Sequence, residues 1–552
     1  MSASADTGWW QSLERLFLPE TSLWYNLEVS ATRYPSRPAI IFYDNVLSYA
    51  ELEREAELLA GFLQRQCGVR RGDRVALQLH NSPQFIVAFY AIVRADAMVV
   101  PVSSMNRTAE LAHIVADSGS KVLITSQDLF PQSEPLLGKH LEQVIVACYS
   151  DYFTAPTDLA VPDFIKAPRL EMKRPGVIPW TDALNAGLQP GPSLATPDDL
   201  CVMPYTSGTT GQPKGCIHKH RSVMHTTVAL AKWHSKNHGS CVLAILPFFH
   251  VTGMQSSMNA PIYMGAAVVT LPRWDRDIAA KLIQRHQVTG LTAVPTVIVD
   301  LLTSPRLAEY DLSSLRKIGG GGAAMPEAIA RQLESMCRLT YIEGYGLSET
   351  MAVTHINPSD CPKPQCLGVP IYETETLIID PHTLQEVPQG EVGEIISRGP
   401  QVFEGYWNNP EATAECFITV GGKRFFRTGD LGRIDADGYF FFVDRLKRMI
   451  NAAGFKVWPA EVEALLYAHP AIQEVAIIGK PDPRRGETVK AVAVLHPHAR
   501  DKVTAQELTD WARQNMASYK VPREWEFVDS LPKSASGKIQ WRVLQDRERA
   551  GR

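Results

Sequence analysis

Residues 205–215 read Tyr205-Thr206-Ser207-Gly208-Thr209-Thr210-Gly211-Gln212-Pro213-Lys214-Gly215. Glycines allow a backbone to turn several N–H groups toward one anion. The Thr and Ser hydroxyls add hydrogen-bond donors, and Lys214 adds a positive charge. The stretch therefore predicts a loop that holds polyphosphate. It is not a Walker loop, because the spacing Gly-x-x-x-x-Gly-Lys-Ser/Thr is absent from it. A glycine-rich surface turn is the alternative.

The composition indicates a soluble protein with more than one domain. A chain of 552 residues exceeds one ordinary core, and 45% hydrophobic with 21% charged residues is typical of globular proteins. The net charge of -4 gives no reason to expect a nucleic-acid partner. Nine cysteines, without a C-x-x-C pair, favour a reducing compartment. We expect a cytoplasmic protein, because the first residues also lack the pattern of a signal peptide.

One long segment without charged residues, Val242 to Leu271, raises the question of a membrane span. Pro247, His250 and Pro261 interrupt it, and a lipid-facing helix tolerates such residues poorly. We predict a buried strand, loop and helix around a pocket, and no transmembrane segment.

The N-terminal part of the chain alternates between predicted strands and helices. A strand over 38–43 precedes a helix that Ser48 and Glu51 begin with a capping box. Further alternation predicts a parallel sheet covered on both faces. Residues 150–197 are rich in Pro, Asp and Ala and read mainly as a long surface connection.

The pattern changes from about Gly393, where short alternating strands appear, and again beyond Arg445, where it becomes mixed. The predicted fold class is α/β. It has a large N-terminal region of doubly covered, mostly parallel sheets plus a short-strand β subdomain, and a small mobile α+β C-terminal domain. We place the boundary near Lys447, which gives domains 1–446 and 447–552.

Three segments that carry candidate site residues each follow a predicted strand. His250 lies among aromatic residues in 247–254, where a buried core histidine is the plain alternative. Gly319 to Gly322 bring the backbone close to something flat, or simply make a tight turn. In the third segment Tyr345, between Gly344 and Gly346, is free to lie against a purine. Ligands of α/β sheets bind beyond such strand ends.

Glu349, which follows in the third segment, is a hard oxygen ligand suited to Mg²⁺. Its alternative role is a first-turn carboxylate that stabilises a helix dipole.

Asp430 and Arg445 are predicted to meet at the open end of one hairpin. Asp435 to Gly438 form its turn, which places residue 430 opposite about 443 or 444. At the open end of the hairpin, a carboxylate is suited to accept hydrogen bonds from both hydroxyls of a ribose, and a guanidinium is suited to contact a phosphate or the ribose. A plain salt bridge is the alternative. Lys538 lies on a loop flanked by Ser and Gly, where most lysines are merely solvated.

Taken together, these segments resemble the core motifs of the adenylate-forming superfamily, which includes acyl-CoA synthetases, luciferases and peptide-synthetase adenylation domains. The resemblance spans roughly Asn26 to Leu544. It rests on five motifs in order: 205–215, 345–349, 427–430, 444–447 and 534–538.

The resemblance implies that a carboxylate attacks the α-phosphorus of ATP, giving acyl-adenylate and pyrophosphate, and that the thiol of CoA then displaces AMP. Lys538 matches the catalytic lysine of the first step, and Lys447 matches a hinge about which the small domain swings. After that swing the segment around Gly454 lines the pantetheine channel. We also count His250 and Glu349 among the catalytic residues.

The resemblance further implies nucleotide contacts. The β- and γ-phosphates are held by Thr206, Ser207, Gly208, Thr209, Thr210, Gly211 and Lys214. Adenine is contacted by Gly322, Ala323 and Tyr345, with Gly344 and Gly346 beside it and Glu343 as acceptor for its amino group. Ser348 lies near the α-phosphate, Glu349 and Thr206 bind Mg²⁺, Asp430 binds the ribose hydroxyls, and Arg445 binds ribose or phosphate.

The segments expected around the acid supply no fixed charge, which disfavours an amino-acid substrate. Residues 454–463 look most like the fatty acyl-CoA synthetase branch. We therefore predict a medium- or long-chain fatty acid, with an aryl or other bulky apolar acid second. A ligase that loads a carrier protein, or stops at acyl-adenylate, and a non-catalytic nucleotide-binding relative are the remaining alternatives. The expected partners are the acid, ATP and CoA, and a homodimer is left open.

Overall fold

The structure is a computed structural model that describes residues 15–206, 212–235, 237–322, 325–452, 455–482, 486–500, 502–534 and 538–550. It divides into two compact units. The first holds the chain up to Glu375 together with Ser397–Ile418, and the second holds Thr376–Ile396 together with the chain from Thr419 onward. The predicted short-strand region thus groups mainly with the C-terminal residues. The domain boundary near Lys447 stays a prediction.

The strands, numbered in chain order, are β1 (Pro38–Phe42), β2 (Asn45–Ser48), β3 (Arg74–Gln78), β4 (Met98–Pro101), β5 (Val122–Ser126), β6 (Gln143–Ala147), β7 (Val177–Pro179), β8 (Leu200–Val202), β9 (Tyr205–Thr206), β10 (Lys214–Lys219), β11 (Cys241–Ala244), β12 (Ala267–Thr270), β13 (Gly290–Thr292), β14 (Lys317–Gly321), β15 (Tyr341–Tyr345), β16 (His355–Ile356), β17 (Val369–Pro370), β18 (Glu375–Ile379), β19 (Gly393–Arg398), β20 (Gly405–Tyr406), β21 (Phe417–Val420), β22 (Lys423–Ile434), β23 (Phe440–Arg445), β24 (Ile450–Ala452), β25 (Phe455–Val457), β26 (Ile472–Asp482), β27 (Gly486–Leu495) and β28 (Glu524–Phe527).

The α-helices are α1 (Tyr25–Arg33), α2 (Tyr49–Arg65), α3 (Pro83–Arg94), α4 (Thr108–Ser118), α5 (Phe130–Ser133), α6 (Asp163–Lys166), α7 (Trp180–Asn185), α8 (His220–Trp233), α9 (Ala260–Tyr263), α10 (Arg276–His286), α11 (Pro295–Leu302), α12 (Glu327–Cys337), α13 (Pro410–Glu415), α14 (Pro459–Leu466), α15 (Ala505–Asn515) and α16 (Trp541–Ala550). The predicted capping box at the start of α2 is present, with Ser48 and Glu51 bonding reciprocally.

The first unit is built on two large, mostly parallel sheets. One has the order β17-β16-β15-β14-β13-β11-β12-β1-β2, and its six central strands run parallel. The other has the order β20-β10-β8-β4-β3-β5-β6-β7, with β9 paired to β10. Both carry antiparallel strands at an edge.

The second sheet is buried on both faces, as the strand–helix alternation predicts. Alternate residues of a strand point to opposite faces. In β3, Val75 and Leu77 join one hydrophobic cluster, whereas Ala76 joins another that includes Ile114 and Val115 of α4. The predicted class of a doubly covered, mostly parallel sheet is confirmed.

The second unit contains two smaller sheets. One has the order β18-β19-β22-β21, with the hairpin strand β23 on β22. The other has the order β25-β24-β27-β26, with β28 on β27, and its core includes Val462 of α14 and Leu508 of α15. This is the α+β arrangement predicted for the C-terminal residues.

The prediction of a long surface connection over 150–197 is wrong in part. β7 adds a parallel strand to the sheet beside β6, and Trp180 at the start of α7 is almost fully buried. The strand has only three residues, too few to show a period among the surrounding prolines.

The uncharged segment Val242 to Leu271 folds as predicted for a buried strand, loop and helix. It contains β11, a π-helix over Gly253–Asn259, α9 and β12. Among the helices of the described residues, none combines the length and the apolar character that a membrane crossing requires.

Candidate active site

The predicted phosphate loop joins two strands of a hairpin. β9 and β10 pair with Thr206 opposite Lys214 and Tyr205 opposite Gly215. The Tyr205 hydroxyl donates to Asp117 Oδ2 at 2.6 Å, which fixes one end of the loop. Near the other end, His113 Nε2 donates to the Pro213 carbonyl at 2.9 Å. The loop residues themselves, Ser207, Gly208, Thr209, Thr210 and Gly211, lie outside the described residues.

Three of the four successive glycines are required by the packing of the sheet. A Cβ at Gly319 would lie 2.4 Å from the carbonyl oxygen of Ile342, one at Gly320 would lie 2.0 Å from that of Ala293, and one at Gly321 would lie 2.2 Å from that of Gly344. Gly322 differs, because it has a φ of +87° and open space where a Cβ would stand. Gly319 to Gly321 continue strand β14, so the tight-turn interpretation is wrong for them, and the close packing of neighbouring strands is what requires glycine there. Ala323 lies outside the described residues.

Glu343, on β15, ties two backbone segments together. Its Oε1 accepts from the Met325 N–H at 2.8 Å, and its Oε2 accepts from the Cys366 N–H at 2.7 Å. Burial raises the pKa of Glu343, and these two hydrogen bonds oppose that rise. An adenine contact by Glu343 stays a prediction.

Tyr345 ends the same strand, with its ring 5.7 Å from that of His355. Gly344 pairs with Ile356 across the sheet. A Cβ at Gly346 would lie 1.6 Å from the Ala352 carbonyl oxygen. The glycine after Tyr345 is thus needed by the chain's own backbone, and adenine contacts at these three residues stay predictions.

Glu349 lies in a 3₁₀ turn, Ser348–Thr350, that several hydrogen bonds hold. The Ser348 carbonyl accepts from Nε2–H of the buried His218 at 2.8 Å. Burial lowers the pKa of His218 to about 4, so the imidazole is neutral at pH 7. The Glu349 carbonyl accepts from the Phe403 N–H at 2.8 Å. The Glu349 side chain is buried, and its Oε1 accepts from the Tyr406 hydroxyl at 2.8 Å.

Tyr406 also contacts the phosphate loop's cation. The Lys214 ammonium lies 5.1 Å from the centre of the Tyr406 ring, within the range of a cation–π interaction. Burial, with the Glu349 carboxylate as the next cause, raises the pKa of Tyr406 well above its ordinary value. The sequence analysis missed Tyr406 and His218. The only local signal for Tyr406 was the run Gly405-Tyr406-Trp407-Asn408.

His250 is exposed at the start of the turn that leads into the π-helix. Its Nδ1 accepts from the Thr252 N–H at 3.3 Å, and its carbonyl accepts from the Met254 N–H at 3.0 Å. The plain alternative, a buried core histidine, is therefore wrong for His250. Its catalytic role stays a prediction.

In the second unit, Asp430 and Arg445 are direct partners in the hairpin of β22 and β23. Arg445 Nε lies 2.9 Å from Asp430 Oδ1, and the Asp430 side chain is 1% exposed. The two residues meet at the open end of the hairpin as predicted. The offset is one residue larger than expected because a β-bulge shifts the register between Leu431 and Gly432.

Lys538 belongs to the same electrostatic group. Desolvation, followed by the Arg445 guanidinium, lowers the pKa of Lys538 to about 8, and Asp430 opposes both effects. The residue as a whole is exposed, so water screens part of these effects. The Lys538 backbone is fixed by a 2.8 Å hydrogen bond from the Ser534 N–H to its carbonyl. The charges of Asp430 and Arg445 thus act on Lys538, while Gly454 lies outside the described residues.

The sequence analysis missed the group that supports Arg445. Asp444 is fully buried, and its oxygens accept from the Arg445 N–H at 2.6 Å and from the Ala460 N–H at 2.7 Å. Arg448 lies 3.9 Å from the same carboxylate and pairs with Glu463 on α14. These contacts tie the end of the hairpin to the start of α14.

Comparison with known protein families gives two matches along the chain. A family described as AMP-binding enzyme matches residues 27–407, and one described as AMP-binding enzyme C-terminal domain matches residues 461–538. The chain is 37% identical over 549 residues to a long-chain-fatty-acid–CoA ligase of Bacillus subtilis (strain 168), covering 96% of this chain and 95% of that one. It is 35% identical over 510 residues to a feruloyl-CoA synthase of an Amycolatopsis species, covering 92% and 94%.

The fold is also similar to the crystal structure of an anthranilate CoA ligase in complex with anthranoyl-AMP. The TM-score is 0.85 at 27% identity, over 97% of this chain and 98% of that chain. These similarities confirm the predicted family, fold class and class of enzyme, an AMP-forming acid–thiol ligase. Because the first family match alone spans more than half of the residues, the chain belongs to the family of AMP-binding enzymes.

Proposed function

We propose that this enzyme activates an apolar carboxylic acid, preferably a medium- or long-chain fatty acid, with ATP and transfers the acyl group to CoA. The observation that carries the proposal is the group formed by Lys538, Asp430 and Arg445. An ammonium group with a lowered pKa, beside a buried carboxylate and a guanidinium, suits a reaction in which negative charge builds on a phosphate.

In the proposed first step, a carboxylate oxygen of the acid attacks the α-phosphorus of ATP. The bond from that phosphorus to the bridging oxygen breaks, and pyrophosphate leaves. Lys538 stabilises the charge shared by the attacking carboxylate and the phosphate, and Asp430 accepts hydrogen bonds from the ribose hydroxyls. In the second step the CoA sulfur attacks the acyl carbon, the bond from that carbon to the phosphate oxygen of AMP breaks, and AMP leaves. The product is the acyl-CoA thioester.

For the nucleotide we propose that residues from Thr206 to Lys214 hold the β- and γ-phosphates. The arrangement also suits Mg²⁺. Glu349 supplies a buried carboxylate that Tyr406 orients, and carboxylate oxygen is the ligand type that Mg²⁺ prefers. We propose Glu349 and Thr206 as its protein ligands. When bound, the ion neutralises phosphate charge.

Support for a fatty acid comes from two sources. The Bacillus subtilis relative is named for long-chain fatty acids. Residues 251–264 include no charged residue, and most of their side chains are buried. An aryl or other bulky apolar acid is the second candidate, since one relative is a feruloyl-CoA synthase and one structural neighbour is an anthranilate CoA ligase. A carrier-protein thiol in place of CoA is a further alternative for the second step.

The test is pyrophosphate release with ATP and Mg²⁺ across fatty, aryl and amino acids, with and without CoA. The proposal predicts release with fatty acids above all, and a thioester only when CoA is present. Acid-dependent release without any thioester would indicate a carrier-protein or adenylate-only ligase. Preference for aryl acids would move the assignment to the second candidate. ATP binding without release for any acid would contradict the proposed function.

A further inference from the structure

A tyrosine outside the predicted site residues contacts two of them. Tyr406 donates its hydroxyl hydrogen to Glu349 Oε1 at 2.8 Å, and its ring lies 5.1 Å from the Lys214 ammonium. Lys214 is proposed to hold phosphate and Glu349 to hold the metal ion. Tyr406 therefore contacts both of these groups.

The backbone around Tyr406 is held on the phosphate-loop strand. β20 pairs antiparallel with β10, with Tyr406 opposite Cys216. The Tyr406 N–H donates to Thr413 Oγ1 at 2.9 Å, and the next N–H, of Trp407, donates to the Gly215 carbonyl at 2.8 Å. The tyrosine is thus fixed to the strand that begins with Lys214.

The same strand holds the Glu349 turn from a second direction. His218, four residues after Lys214 on β10, donates from Nε2 to the Ser348 carbonyl at 2.8 Å. His218 is fully buried, so water does not replace this donor. β10 therefore positions the Glu349 turn in two ways. His218 on β10 holds the backbone of the turn, and Tyr406 on the neighbouring strand β20 holds the Glu349 carboxylate.

We propose that Tyr406 is a positioning residue that fixes the Glu349 carboxylate relative to Lys214 for binding of Mg²⁺ with ATP, and that His218 fixes the turn carrying Glu349. The inference rests on the proposed function in assigning the metal to Glu349. It adds two residues that act through others and do not touch the substrate.

The test measures ATP binding by calorimetry, with Mg²⁺ and with EDTA, in the absence of any carboxylic acid. In Tyr406→Phe the ring remains under Lys214 and only the hydroxyl is lost. Because hydrogen bonds to charged groups are among the stronger ones, we expect the Mg²⁺-dependent gain in ATP affinity to fall roughly tenfold. Affinity in EDTA is expected to be unchanged.

The matched control is Tyr49→Phe. Tyr49 is fully buried, whereas Tyr406 is partly buried, and the Tyr49 hydroxyl likewise donates one hydrogen bond, to the Ala266 carbonyl at 2.7 Å. Tyr49→Phe should lose at least as much thermal stability as Tyr406→Phe and keep the Mg²⁺-dependent gain. A second pair tests the turn: His218→Leu should lose most of that gain, whereas His218→Gln, whose amide can donate to the Ser348 carbonyl, should recover it.

An unchanged Mg²⁺-dependent gain in Tyr406→Phe would overturn the inference. So would an equal loss of affinity with Mg²⁺ and with EDTA, since a general packing defect produces that result. The assay contains no acid, so it separates this inference from the proposed reaction. If the wild type releases no pyrophosphate with any acid, yet Tyr406→Phe loses the Mg²⁺-dependent gain, the proposed function fails and the positioning role stands.

Discussion

The two units hold their candidate site carboxylates in different ways. In the first, Glu343 and Glu349 accept hydrogen bonds from neutral donors, namely two backbone N–H groups and one phenol. In the second, Asp430 is paired with a guanidinium and acts on the nearby ammonium of Lys538. Substitutions in the first unit should therefore change where a group lies, and substitutions in the second should change how strongly charges act on one another.

The largest effect is expected at Lys538. Lys538→Ala removes the ammonium group, and we expect adenylation to fall by about 10²–10³-fold, the range seen when one preorganised electrostatic group is lost. Formation of thioester from supplied acyl-adenylate and CoA should be largely spared. The two half-reactions are measured separately, by pyrophosphate release and by thioester formation. The control is Lys533→Ala. Lys533 is an exposed lysine on the same segment as Lys538, and it pairs with Glu474 of β26. Equal loss in both half-reactions would remove the special role of Lys538.

A smaller effect is expected at Asp430. Asp430→Asn keeps the shape but weakens the acceptor, so the KM for ATP should rise roughly tenfold. ATP analogues that lack either ribose hydroxyl give a second test. Their KM should be higher than that of ATP in the wild type but about equal to it in Asp430→Asn, because the variant has already lost the contact with the hydroxyl. Asp437→Asn, at the turn of the same hairpin, is the control. An unchanged KM for ATP would leave Asp430 and Arg445 as a plain salt bridge.

The charge interactions of the second unit also predict a pH dependence. The pKa of Lys538 is lowered to about 8, so the protonated form that the reaction needs is lost as pH rises through that value. One pH unit above it, adenylation should retain roughly a tenth of its maximal rate. Because Arg445 lowers this pKa, Arg445→Met should move the alkaline limb to higher pH. A profile of pyrophosphate release against pH tests this, and a limb that stays in place would contradict the coupling.

The smallest effect on catalysis is expected at Glu343. A glutamine has one acceptor oxygen for the two N–H groups of Met325 and Cys366, so Glu343→Gln should cost about 1–3 kcal/mol of stability. Burial raises the pKa of Glu343, so the wild type loses stability as pH rises above the ordinary glutamate value, and the variant does not.

The gap in melting temperature between the wild type and Glu343→Gln should therefore shrink from pH 5 to pH 7. A rise in the KM for ATP of more than about twofold, without loss of stability, would instead favour the adenine contact.

The hairpin of the second unit shows both what the sequence allows and where it stops. The turn at Asp435 to Gly438 was sufficient to predict that Asp430 and Arg445 meet. The one-residue error came from the bulge beside Gly432, where a Cβ would lie 2.7 Å from Ile395 and 2.8 Å from the Phe441 carbonyl. That crowding involves a strand distant in sequence, so no local pattern reveals it.

Tyr406 shows a second limit. It lies 57 residues from Glu349 along the chain and reaches it only because β20 pairs with β10. Local periodicity predicts that strands exist, but it does not predict which of them become neighbours. The helices and most strands of the first unit were predictable for the opposite reason, since caps and alternation are encoded within a few residues.

The glycines of β14 have a consequence for engineering. Carbonyl oxygens of the neighbouring backbone occupy the space where side chains at Gly319, Gly320 and Gly321 would stand. Mutant libraries that place larger residues there, in the hope of reshaping acid selectivity, will therefore mainly yield misfolded protein. The same limit applies to Gly253 at the start of the π-helix, because a Cβ there would lie 2.3 Å from the Pro247 carbonyl oxygen.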